Sequence, residues 1–151
     1  MGLDNIPKIY ACKKLGTAIL DEDGRIDCKK TQDENLCPWK SQLETSGIKQ
    51  RVVLGVFGAE CWYRGKYAQS LISEYDNSPY DFYGEAIGMD DNGNPEEGLT
   101  SSQCMSLSDW MNDIYGDYGD EFDSELADDW NYISWWLSFV SKNCDGFISW
   151  Y

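Results

Sequence analysis

The sequence predicts an α+β fold, mainly helical, with a small cysteine-containing β-hairpin region at the N-terminus packed on a helical core. Three observations lead there. Apolar residues recur at helical spacing near 60–75, 101–115 and 121–143. The first fifty residues read instead as loops around one Asp-Gly turn, and they hold three of the six cysteines. A hydrophobic content of 42% with 15% aromatics, in 151 residues, supports a buried core despite the charge. The chain therefore divides into a loop and hairpin region over 1–50 and an acidic, aromatic-rich helical core over 51–151, expected to form one compact domain.

Taken in order, the runs 17–20 and 25–28 flank Asp21-Glu22-Asp23-Gly24, a hairpin signal. The acidic residues here do not fit the twelve-residue EF-hand loop, so a plain turn is expected. The run 51–57 is short, apolar and β-branched, which suggests a buried strand. Tyr63, Tyr67, Leu71 and Tyr75 recur every four residues and predict a helix over 60–75, weakened by Gly65 and ended by Asn77-Ser78-Pro79. Residues 76–100 read as connection. Their dense turn signal, Asp90 to Pro95, marks a loop longer than a simple connector needs.

Thr100-Ser101-Ser102 can cap the next helix. On it, Cys104, Leu107, Met111 and Ile114 form an apolar stripe, while Asp109, Asp113 and Asp117 share another face. The last helix is expected over 120–143. Its acidic first turns, including Asp120, Asp123, Asp128 and Asp129, suit the positive end of the helix dipole. Asn131, Ser134, Ser138 and Ser141 make one thin polar stripe on an otherwise apolar helix. That stripe should be an exposed edge or should hydrogen-bond a neighbour. The tail 147–151 alternates and reads as a short strand or tail.

Charge divides the chain. Residues 1–66 carry eleven Lys/Arg and nine Asp/Glu, whereas 67–151 carry eighteen Asp/Glu and one cation, Lys142, giving −15 in total. Such asymmetry suits a surface matched to a partner, with solubility and adaptation to high salt as the other readings. The acidity disfavours direct contact with nucleic-acid phosphates. The absence of histidine excludes Ser-His-Asp and Cys-His catalysis and any His-ligated metal. The N-terminal residues have neither a basic leader with an apolar run nor a myristoylation pattern. The longest apolar stretch, over 130–140, is too short to span a bilayer, so a soluble, cytoplasmic protein is expected.

Cys12, Cys28, Cys37 and Cys61 lie in the near-neutral, loop-rich part, beside Lys13, Lys14, Lys29, Lys30 and Lys40. Four thiolates there would staple a region with little core, holding zinc or an iron–sulfur cluster, and neighbouring cations would favour the thiolate form. The intervals of 15, 8 and 23 residues contain no C-x-x-C pair. Scattered buried thiols and disulfides are the other readings, and Cys104 belongs to the core stripe.

Seven Trp and ten Tyr beside many carboxylates raise a carbohydrate-binding or glycoside-hydrolysing alternative, although the abundance of Asp and Glu singles out no acid–base pair. Stacking on single-stranded bases needs a positive groove, and the aromatic half is negative. The inverse is favoured: an acidic, aromatic-cored surface that occupies a basic site built for nucleic acid. Asp109, Asp113, Asp117, Asp120, Asp123, Asp128 and Asp129 are the expected contact residues. In charge and size the chain resembles the small acidic proteins that phages use to block restriction or CRISPR nucleases. The expectation is a non-enzymatic, DNA-mimicking inhibitor with a basic nuclease or other nucleic-acid-binding protein as partner, acting in the cytoplasm of a host cell if viral. A sugar-directed protein and a metal-stapled structural protein are the alternatives.

Overall fold

The computed structural model describes residues 4–49, 63–82 and 85–150. In chain order the elements are β1 (Asp4–Pro7), α1 (Ala11–Lys14), α2 (Cys28–Asp33), α3 (Pro38–Ser46), β2 (Tyr63–Arg64), α4 (Gly65–Ile72), β3 (Glu85–Met89), β4 (Pro95–Leu99) and α5 (Ser101–Tyr118). A 3₁₀ turn (Gly119–Glu121), α6 (Ser124–Asn143) and β5 (Phe147–Trp150) complete the chain. The fold is mainly helical α+β.

Two strands from opposite ends of the chain meet at the centre of the sheet. β1 pairs antiparallel with β5, with Asn5 opposite Ser149 and Ile6 opposite Ile148. The Ser149 hydroxyl donates to the Asn5 side-chain oxygen at 2.9 Å, so the buried Asn5 is satisfied across the register pair. β2 flanks β1, and the β3–β4 hairpin extends the sheet beyond β5, giving the order β2-β1-β5-β4-β3. That hairpin turns on the 90–94 segment read as connection. The Asp90 carboxylate accepts from the Asn92 and Asn94 amides, and Gly93 takes φ +81°.

The N-terminal hairpin is smaller than expected. One bridge, Leu20 to Ile26, closes over the Asp21–Gly24 turn, because Asp27 then starts α2 by accepting from the Lys30 amide at 3.0 Å. The rest of this region folds into short helices, α3 beginning on Pro38 and closing on Gly47 at φ +72°. The helix expected over 60–75 is shorter: Tyr63 and Arg64 pair in β2, and α4 covers Gly65–Ile72, with Ala68 and Ile72 buried. The strand expected over 51–57 lies outside the described residues.

The core is organised by α5 and α6. α5 starts with a capping box, in which the Thr100 hydroxyl accepts from the Gln103 amide and the Gln103 side chain returns to the Thr100 amide. α6 starts four residues later than expected, where the Asp123 carboxylate accepts from the Leu126 amide at 2.7 Å. Hydrogen bonds from side chains to carbonyls join the helices at three levels: Ser141 to the Ser101 carbonyl, Ser108 to the Ser134 carbonyl, and the Trp130 indole to the Met111 carbonyl, at 2.7, 2.7 and 2.8 Å. Each step forward on one helix is a step back on the other, the register of an antiparallel helical hairpin.

α6 is buried around most of its circumference, with Trp130, Tyr132, Ile133, Trp136, Leu137 and Val140 fully enclosed. Full burial of each such side chain contributes about 1.5–3 kcal/mol. Trp136 meets the sheet through Phe147 and Phe82, the ring centres lying 5.2–6.2 Å apart.

Candidate functional site

The acidic residues singled out above divide by helical phase. On α5, Cys104, Leu107 and Met111 turn inward, which sends Asp109, Asp113 and Asp117 to the exposed side. Asp120 and Glu121 continue the exposed series in the 3₁₀ turn, and Asp123 adds a further exposed carboxylate at the α6 N-cap. None of Asp109, Asp113, Asp117 and Asp120 forms an ion pair with a described residue. Among the described residues the ion pair present joins Lys14 to Asp145, at the other end of the helical hairpin.

Asp128 and Asp129 depart from the expectation. Asp128 is half-buried, and Asp129 is 1% exposed. Asp129 precedes Ile133, Trp136 and Val140 by four, seven and eleven residues. It therefore lies on the innermost stripe of α6 and cannot belong to an outer surface.

Beneath the acidic turn lies a continuous aromatic layer. Tyr75 packs on Tyr118, Phe122 and Trp130 with ring centres 5.4–6.2 Å apart, and Phe122 also meets Tyr115 and Trp130. Such pairs add about 0.5–1.5 kcal/mol each beyond area burial. The Tyr75 phenol is held above its usual value of 10.0, first by desolvation and then by the charges of Glu121 and Glu74. The carboxylates of the turn are thus mounted on a packed support.

Among the described residues, Cys12, Cys28 and Cys37 do not form the three-ligand group that a four-thiolate centre shared with Cys61 requires. Cys12 is buried in α1, Cys37 is buried at the N-cap of α3, and Cys28 is half-buried at the start of α2. Among the described residues no group of three or more Cys, Asp or Glu could hold a metal ion, although these three cysteines are all described. Cys61 lies outside the described residues. The widely spaced thiols belong to separate short helices, and no tight turn delivers two ligands together.

The polar stripe of α6 proves to be an interhelical seam. Ser134 is buried and donates at 2.7 Å to the side-chain oxygen of Asn112, while Ser108 bonds the Ser134 carbonyl. A cleft of about 220 Å³ opens along this seam. Sequence reasoning missed the facing half of the seam. Its signal was present in Ser101, Ser108 and Asn112, spaced seven and four residues apart on one face of α5.

Comparison with protein-family models, curated proteins and solved structures gives no match. Among the described residues, no helix is long and apolar enough to cross a membrane.

Proposed function

We propose that this chain is a non-enzymatic binding protein whose acidic α5 face and adjoining turn dock on a basic protein surface, in the manner of a nucleic-acid mimic that inhibits a nucleic-acid-binding enzyme. The observation that carries the reading is the row Asp109, Asp113 and Asp117, exposed and without cationic partners among the described residues, continued by Asp120 and Asp123. Carboxylates four residues apart stand about 6 Å apart along a helix, whereas duplex DNA carries about one charge per 1.7 Å. The row alone is therefore too dilute, and Asp120, Glu121 and Asp123 supply the added density. The aromatic layer supports the reading because a pre-organised surface loses little entropy on docking.

The test is competition. The full chain is titrated into complexes of fluorescent duplex DNA with a panel of restriction and CRISPR nucleases. The chain should leave free DNA unbound, displace DNA from at least one enzyme, and lose affinity as salt shortens the Debye length. The double variant Asp113→Lys, Asp117→Lys should slow association more than it speeds dissociation. Failure to displace DNA from any enzyme in the panel, or displacement unaltered in the double variant, refutes the reading.

A further inference from the structure

The cleft on the α5–α6 seam has a chemistry unlike the rest of the surface. In a chain where 26% of residues are charged, none of its described lining residues is ionisable. α5 contributes Ser108 and Asn112, and α6 contributes Asn131, Trp135 and Ser138. Ile48, just beyond α3, provides an apolar wall. Asn112 accepts the Ser134 hydroxyl through its oxygen, which leaves its NH₂ donors uncommitted to any described residue. Asn131 and Ser138 likewise form no side-chain hydrogen bond with a described residue, so amide and hydroxyl groups converge unspent on one space. Trp135 is half-buried and stacks on Phe139 at 5.3 Å with its ring inclined by 22°, which fixes the indole as a wall of the cleft.

From these features we infer that the cleft is a binding site for a small neutral polyhydroxyl ligand, one sugar ring in size. At about 220 Å³ the cleft is on the scale of a single sugar ring. A sugar ring presents C–H groups on one face, which suit the indole, and hydroxyls at its rim, which suit Asn and Ser. A molecule at −15, with no cation among the described lining residues, disfavours anionic sugars. This site is separate from the acidic docking face, and its ligand is bound without ion pairing, so its affinity should not depend on salt.

The test is titration of the full chain with methyl β-D-glucopyranoside and N-acetyl-D-glucosamine, with glucuronate as the charged counterpart, followed by proton–nitrogen correlation spectra. For at least one neutral sugar, the Trp135 indole and the Asn112 and Asn131 side-chain amide signals should move together and saturate, with a Kd on the order of 1 mM. Trp135→Ala should weaken binding by about tenfold or more, and Trp135→Phe should retain it. The same spectra report whether each variant is folded, and the half-exposed position of Trp135 favours that. No saturable shift with either neutral sugar, shifts that survive Trp135→Ala in a folded protein, or equal binding of glucuronate would overturn the assignment.

Discussion

At single positions, burial and backbone geometry decide more than residue type does. Burial pushes the Cys104 thiol from 9.0 up to about 12, opposed by a backbone hydrogen bond from Phe147 and reinforced by nearby Cys144. Between those values the folded state keeps a proton that the unfolded chain has released. The corresponding stability is therefore intact below about pH 9 and is lost as pH rises toward about 12. Urea denaturation at a series of pH values above 9 should show stability falling, and Cys104→Ala should lessen that fall. A fall of equal steepness in the variant would contradict this origin. Gly146 illustrates backbone geometry: it takes φ +91°, and an added Cβ would run into the Leu99 carbonyl oxygen and approach the Thr100 carbon at 2.9 Å. Gly146→Ala should cost about 2 kcal/mol or more, measured by thermal or urea unfolding. Residue type alone was a poor guide at Asp129. Its carboxylate suggested a surface, whereas its phase with Ile133, Trp136 and Val140 fixed it inside.

Elements were legible where local periodicity and caps agree. α5 and α6 carry long apolar stripes, with Thr100 and Asp123 as side-chain caps, and both stand close to their expected positions. The β3–β4 hairpin was not legible. Its strands, Glu85 to Met89 and Pro95 to Leu99, contain two glycines, a proline and no clean alternation, and their pairing depends on β5, far away in sequence. Short α1 and α2 were missed because four to six residues give too few turns for a periodic signal. The helical hairpin should dominate stability. Trp136, fully enclosed between α6, Phe82 and Phe147, should cost about 3–5 kcal/mol on substitution by Ala. Ser134→Ala removes the donor to Asn112 and should cost about 1–3 kcal/mol, more than the same change at half-exposed Ser138. Chemical denaturation of the two serine variants side by side checks the order, and equal losses would mean that the seam is not held by its hydrogen bonds.

For the whole molecule, the sequence made the charge asymmetry plain but not its distribution in space, which depends on helical phase. The exposed carboxylates of α5 and the following turn face solvent with no ion-pair partner among the described residues, where the ion pair present lies elsewhere. At −15 the folded chain repels itself, and among the described residues one ion pair, Lys14 to Asp145, offers attraction for salt to weaken. Added salt, which cuts the Debye length from about 30 Å at 0.01 M to about 8 Å at 0.15 M, should therefore raise the midpoint of thermal unfolding. Docking of the acidic face on a basic partner should respond in the opposite direction, because there the screened interaction is attractive. Measured together on one preparation, the two responses separate the readings of the acidity. Carboxylates kept only for solubility or for life in high salt predict the stabilisation alone. A docking face predicts stabilisation of the free chain and loss of the complex over the same salt range, and Asp113→Lys with Asp117→Lys should diminish both responses, since the same unpaired charges produce them.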